Sequence, residues 1–251
     1  MTERRDHYSY TVYADPKTAR RFDQSRFGSP IGQLVAAREA ETFSRMAGDV
    51  AGRKVLDVGT GTGRLALLMT GAGASVTGLD ASDEMLKVAR ERAAVQHADV
   101  HFTIGDAHAL AFPDRSFDVV VSSRVLMHTP RWQVCIDEWC RVARDRVVID
   151  YPSARSFALL QSLWRRASQV FGGGARQPYR VFFDRELSAA FERNGFRIRE
   201  KHGQFVLPIG FYRLFRSPRG AEVTEATFRR LGASRVFASP ITVLAERCAT
   251  S

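Results

Sequence analysis

Apolar and polar positions along this chain fall into two alternating regimes, and the places where one gives way to the other predict its elements. Lys54 to Val58 is a nearly continuous apolar run, Gly59-Thr60-Gly61-Thr62-Gly63-Arg64 is a glycine-rich turn, and Leu65 to Thr70 resumes with helix formers. That succession predicts a buried parallel strand, a tight turn and a crossover helix. Ser75 to Asp80 reads as a second strand, Asp83 to about Ala94 as a helix, His101 to Ile104 as a short strand, and Phe117 to Val121 as the most hydrophobic strand. Trp132 to Val142 reads as a helix turning Ile136, Trp139 and Cys140 inward, and Val147 to Ile149 as the next strand. Repeated strand and helix units imply an α/β, doubly wound, mostly parallel sheet, whose crossover rule gathers the strand ends on one side.

The flanks depart from a minimal domain. Residues 1–48 read as an N-terminal helical arm, either packed on the domain or closed over its site: Tyr8, Tyr10, Tyr13, Phe22 and Phe27 come first, and Ser29-Pro30 then opens a helix through Leu34, Ala37, Thr42 and Met46. Residues 49–251 carry the rest, with two expected helical lid insertions. The first, 152–181, sets Phe157, Leu160, Leu163, Trp164, Ala167 and Phe171 on one stripe against Arg165, Arg166 and Gln169, and ends at Gly172-Gly173-Gly174. Such a helix suits a substrate roof, a plain core helix or peripheral contact with a membrane surface. The second spans 208–237. Between them, Asp184 reads as the N-cap of a helix containing Leu187, Gly195 leads into an alternating strand, and Ile241 to Leu244 is expected to be the final strand.

Composition narrows the class. The chain has 251 residues, 45% hydrophobic and 25% charged, in the range of ordinary globular proteins. Cys135, Cys140 and Cys248 make neither a disulfide framework nor a zinc spacing and suggest a reducing, cytoplasmic compartment. The N-terminal segment is charged and polar, unlike a secretory signal. A net charge of +10, dispersed as short arginine pairs such as Arg20-Arg21 and Arg229-Arg230 rather than one tract, leaves nucleic acid a minor option as partner.

The chemistry gathers at the first strand's exit. Asp57 suits a crevice better than a core, and Gly59, Gly61 and Gly63 let backbone approach a ligand. The turn differs from the dinucleotide fingerprint, because Arg64 stands where its third glycine would be, which favours a ligand without a pyrophosphate. Asp80 lies 21 residues after Gly59, the spacing at which a carboxylate takes a ribose diol. Asp106 and His108 follow the third strand, Ser122, Ser123 and Arg124 the fourth, and Tyr151 the fifth, all on the ligand side of an open sheet.

In this order, Val55 to Gly63, Gly78-Leu79-Asp80-Ala81-Ser82 with Met85-Leu86, Gly105-Asp106-Ala107, Phe117 to Val120 and Leu126-Met127-His128, the sequence resembles the class I S-adenosylmethionine-dependent methyltransferases over roughly residues 50 to 152. Within them it is similar to the small-molecule branch that includes the ubiquinone and menaquinone biosynthesis C-methyltransferases. The resemblance implies a Rossmann-like, seven-stranded sheet with its last strand antiparallel, and S-adenosyl-L-methionine as cofactor. It implies that Asp57 and the backbone around Gly59, Thr60 and Gly61 hold the amino acid part, that Asp80 takes the ribose hydroxyls, and that Ala81 or Met85 packs beside the adenine. Asp106 would accept the adenine amino group, Ala107 would supply backbone contact, and Ser123 would border the methionyl end.

A sulfonium methyl is already activated, so an enzyme of this kind mainly aligns the acceptor and excludes water, and needs a base only where the acceptor has a proton to lose. His128, Arg124, Tyr151 and His108 are the candidates for that acceptor-side chemistry, with His128 also readable as a scaffold residue. No Asn/Asp-Pro-Pro-Tyr quartet follows the fourth strand, no Pro-Cys nucleophile is present, and that strand's end lacks the acid of magnesium-dependent catechol methyltransferases, so no metal is expected. The expected function is methyl transfer to an apolar or aromatic small molecule such as a quinone precursor, phenol or lipid-linked metabolite, by a monomer or homodimer. The alternatives are an RNA or protein methyltransferase and a non-catalytic S-adenosylmethionine-binding protein.

Overall fold

The computed structural model describes residues 15–156, 179–214 and 218–249. Seven strands form one sheet: β1 (Lys54–Val58), β2 (Ser75–Asp80), β3 (Val100–Ile104), β4 (Phe117–Ser122), β5 (Ala143–Tyr151), β6 (Phe196–Gly203) and β7 (Ile241–Arg247), in the order β3-β2-β1-β4-β5-β7-β6. The first five run parallel, while β7 enters antiparallel between β5 and β6. The register sets Asp57 beside Gly78 of β2 and Val121 of β4, so the order reverses at β1, where an open sheet leaves a crevice.

Side chains on successive strand residues project to opposite faces, and the two cores follow that rule. Leu56, Val120, Val147 and Ile149 belong to one core; Val55, Val119, Val121 and Val148 belong to the other. The first core is completed by α5 (Trp132–Val142), whose Trp132, Cys135, Ile136, Trp139 and Cys140 recur at helical spacing, and by Leu187, Ala190 and Phe191 of α6 (Asp184–Arg193). The second is covered by α2 (Pro30–Ala47), α3 (Arg64–Gly71) and α4 (Asp83–Val95) through Phe43, Met69 and Leu86. Three free cysteines lie among the described residues, and burial pushes the Cys135 thiol up to about 12.

Among the described residues the arm opens with α1 (Pro16–Phe27), whose N-cap Asp15 accepts from the Thr18 amide at 2.8 Å, and α2 starts the same way, with Ser29 accepting from the Gly32 amide at 3.1 Å. Residues 208–237 fold as α7 (Ile209–Leu214), α8 (Pro218–Arg230) and α9 (Ser234–Phe237). Tyr212 and Ala221 pack there with Phe205 on Ile31 and Val35 of α2. The apolar stripe expected over 156–171 and its glycine end lie, apart from Ser156, outside the described residues.

Two local expectations change. The N-cap of α6 is Phe183, whose amide donates to Glu186 at 2.8 Å, and Asp184 instead accepts from the Tyr151 hydroxyl and pairs with Lys201. Gly63 does not line the cleft. Its φ is +81°, and a Cβ there would stand 3.1 Å from Ala89 and 3.2 Å from Phe102, so it serves the close seating of α4 and β3.

Gly63→Ala should therefore lose about 2 to 4 kcal/mol in urea unfolding, from left-handed backbone strain plus overpacking. Gly52→Ala, at a φ of +69° with open space around it, should lose only about 1 to 2 kcal/mol.

Candidate active site

The turn after β1 is tied back to the neighbouring strand. The amides of Gly59 and Thr60 donate to the Leu79 carbonyl at 2.7 and 2.9 Å. Asp80, at the end of β2, accepts from the Gly61 amide at 2.8 Å and from the Ser82 amide at 2.9 Å, one on each oxygen. Gly59 has a φ of +70°, and a Cβ there would fall 2.2 Å from Val125 Cγ2, so the turn and the loop after β4 meet with no room for a side chain.

Asp57 lies beneath this turn, 2% exposed. It accepts from Thr60 Oγ1 at 2.7 Å and from the Ala66 amide, in the first turn of α3, at 3.1 Å. Loss of water outweighs these bonds and pushes its carboxyl up to about 7. Burial raises Asp80 as well, opposed by its amide donors. Two desolvated carboxylates therefore flank the glycine turn at the mouths of adjacent strands.

The cleft they open onto is lined by most of the residues expected from the sequence: Asp57, Gly59, Thr60, Gly61, Asp80 and Ala81 at one end. Met85, Asp106, Ala107, Ser123, Arg124 and His128 continue the wall. Ser82, the N-cap of α4, accepts from the Met85 amide at 3.2 Å and so fixes where that side chain enters. Asp106 accepts from the His108 amide and meets His108 Nδ1 at 2.8 Å, orienting an imidazole that also lines the cleft. The Ser123 hydroxyl and His108 Nε2 are buried with no hydrogen-bond partner among the described residues. His128 sits on a 3-10 turn, Leu126–His128, with its ring 6.2 Å from that of Tyr179.

Tyr151 requires a correction. Strand alternation sends it, with Val147 and Ile149, into the core beneath α5 and α6, where it is fully buried and its hydroxyl donates to Asp184 at 2.9 Å. Burial and Asp184 push that phenol upward, and it does not line the cleft. Asp150 faces the other way and accepts from the Arg124 amide at 2.6 Å. Burial and the neighbouring Glu39 carboxylate push the Asp150 carboxyl above its ordinary value.

The outer wall joins residues the sequence analysis named, Phe22, Phe27, Arg64 and Arg124, to ones it did not single out, Glu39, Asp23 and Arg26. Glu39, 1% exposed, pairs through one oxygen with Arg64 and through the other with Arg124, whose Nε lies 2.8 Å away. Both guanidiniums lie over the Phe27 ring, at 4.2 and 5.2 Å from its centroid. Asp23 of α1 accepts from the Thr62 hydroxyl at 2.9 Å and pairs with Arg92. Phe22, Arg26 and Phe27 of α1 all line the cleft. One signal for Glu39 was available, an acid on the apolar stripe of α2 between Val35 and Phe43.

Known proteins resemble part of this chain in sequence and its fold in structure. Residues 56–149 match a family model described as a methyltransferase domain. An uncharacterized protein of Mycobacterium tuberculosis is 34% identical over 116 residues, covering 46% of this chain and 39% of that one. The demethylmenaquinone methyltransferase of Thermus thermophilus is 32% identical over 136 residues, covering 51% of this chain and 62% of that one. The chain thus spans less than two thirds of either relative. Magnesium protoporphyrin IX methyltransferase from Synechocystis, solved with SAH bound, superposes with a TM-score of 0.61 over 86% of this chain and 84% of that one at 19% identity, a likeness of fold. The matched segment, residues 56–149, runs from within β1 to within β5 and contains the glycine turn, so this part of the chain is similar to a methyltransferase domain.

Proposed function

We propose that this protein transfers a methyl group from S-adenosyl-L-methionine to an apolar or aromatic small molecule. The observation that carries the reading is the pair of desolvated carboxylates, Asp57 and Asp80, on either side of a glycine turn that leaves backbone open to the cleft. The donor brings a methyl group already activated on a sulfonium, together with an ammonium group and a ribose diol. Asp57 and the backbone at Gly59, Thr60 and Gly61 suit the cationic amino acid part. Asp80 gives one lone pair of each oxygen to an amide and keeps the other for ribose hydroxyls. Ala81 and Met85 offer apolar contact to the base, Asp106 and Ala107 border it, and the orphaned Ser123 hydroxyl supplies a polar contact at the methionyl end.

The acceptor side is set by Phe22, Phe27, Val125, His128 and Thr129, an aromatic and apolar wall that excludes water from the transfer. A relative named demethylmenaquinone methyltransferase supports a quinone-like acceptor. His128 is the group to take a proton from an acceptor that carries one. Arg124, held by Glu39 and stacked on Phe27, positions the wall rather than acting as a base. Several arginines away from the cleft pair with acids, as in Arg53 with Asp145, Arg141 with Glu138 and Arg144 with Asp118, which favours a small acceptor over RNA. The free thiols support a reducing, cytoplasmic setting, and among the described residues no helix is long and apolar enough to cross a membrane.

Transfer of labelled methyl from S-adenosylmethionine to quinone precursors and phenols, read by mass spectrometry, tests the reading; tight donor binding with no product across such a panel would instead support a non-catalytic binding protein. Asp80→Ala should weaken donor binding by about 1.5 to 3 kcal/mol for each charged hydrogen bond lost, measured by calorimetry on protein with unchanged circular dichroism.

Asp57 makes binding depend on pH. Its folded value lies above the ordinary 3.8, so its contribution to stability is present in acid and fades as pH rises toward about 7. A cationic ligand favours the carboxylate form, so donor affinity should fall, approaching about tenfold per unit, as pH drops below about 7, with a proton released on binding. Calorimetry in buffers of different ionisation enthalpy reads both effects, and Asp57→Asn should abolish them. His128→Ala should lower kcat by about 10²- to 10⁴-fold on an acceptor with an ionisable proton while leaving donor affinity unchanged; an unchanged kcat would reduce His128 to scaffold.

A further inference from the structure

Among the described residues, five of the eight large hydrophobic side chains that stand exposed fall within the insertion between β6 and β7: Phe211, Val223, Leu231, Val236 and Phe237. Val223 and Leu231 are 68% and 74% exposed, so the surface there is apolar in substance and not only at its edges. Spacing explains why they gather. The inward face of α8 is Ala221 and Glu225, with Glu225 accepting from the Val206 amide at 2.9 Å and from the Tyr212 hydroxyl. Four-residue steps on the opposite face place Val223, Thr227 and Leu231 in one line, and the Leu231 amide continues that line by donating to the Thr227 carbonyl at 3.0 Å.

The chain then turns on itself. The Ala233 amide donates to the Phe228 carbonyl, closing the turn after α8, and the Phe237 amide donates to the Ala233 carbonyl within α9 itself. Val236 and Phe237, 46% and 48% exposed, thus join Leu231 on one compact knuckle. Arg219 and Arg230 are exposed alongside the Val223 line, and Arg229 is exposed at the knuckle itself. An apolar ridge fringed by three exposed arginines against one exposed acid, Glu222, on a chain of net charge +10, complements one kind of surface: acyl chains at shallow depth beneath anionic headgroups.

We propose that the outward face of α8 and α9 docks this protein on an anionic lipid surface, with Val223, Leu231, Val236 and Phe237 entering the headgroup boundary and Arg219, Arg229 and Arg230 meeting lipid phosphates. The proposal uses no feature of the cleft and stands apart from the methyl-transfer reading. Tyr212 and Ala221 anchor this insertion on α2, the same helix that carries Glu39 into the cleft wall, so the docked face and the site share one support.

The test is co-sedimentation of the full chain with vesicles of phosphatidylcholine alone and of phosphatidylcholine mixed equally with phosphatidylglycerol. The expected result is binding to the anionic vesicles, weakened by salt. It should fall about tenfold or more in Leu231→Ser/Phe237→Ser and likewise in Arg229→Glu/Arg230→Glu. Val95→Ser, equally exposed but on α4, should bind as the wild type does. Three results would overturn the proposal: no binding to anionic vesicles, undiminished binding by both double variants, or light scattering that shows a second copy covering this face and released by Leu231→Ser/Phe237→Ser.

Discussion

The removal of Asp57 from water is the constraint on which the rest of the site depends. A carboxylate under a strand end, with no cation in direct contact among the described residues, holds its charge only against a large desolvation penalty. The chain answers with two donors supplied by the local backbone path, the Thr60 hydroxyl and the Ala66 amide at the start of α3. Both require the chain to turn sharply after Val58, which is why Gly59 occupies a left-handed conformation against Val125. Asp80 repeats the device from the neighbouring strand, with the Gly61 amide as donor. The two acids and the turn are mutually dependent, and what they leave unsatisfied is a preference for positive charge.

A second layer of charge fixes the outer wall. Glu39 divides its two oxygens between Arg64 from the start of α3 and Arg124 from the end of β4, so three segments distant in sequence meet at one buried carboxylate. Phe27 lies under both guanidiniums and carries α1 with it. Removing the acid alone would leave two cations in a poorly solvated wall, a costlier defect than losing the whole cluster. The same arm is held a second time where Asp23 meets Thr62 and Arg92.

Much of the fold was legible because strand exits and helix starts carry local marks. The span of β2, from Ser75 to Asp80, and that of α5, from Trp132 to Val142, are the ones the pattern predicts. β5 is longer than its apolar run because Arg144, Asp145 and Arg146 extend it at the end remote from the cleft, where they pair with Asp118, Arg53 and Glu246 instead of filling a core. Tyr151 was misread for a related reason: proximity to a strand end does not tell which face a side chain takes, and pairing with Val147 and Ile149 in the period of two would have sent it inward. The glycines after β1 were read as a cradle for ligand, whereas Gly63 answers to Ala89 and Phe102. Glu39 is the deepest omission, since its partners are assembled only by tertiary structure.

The sheet order also governs how a chain made from its N-terminus can assemble. β7 is the last strand in sequence yet lies between β5 and β6, so β6 has no neighbour to pair with until β7 emerges. Until then the outer edge of β5, rich in Val147, Val148 and Ile149, is an open template for other strands. The five parallel strands can form while the nascent protein is still growing, but closing the barrier to strand-mediated aggregation awaits a single late insertion, which makes that edge the natural client surface for a chaperone.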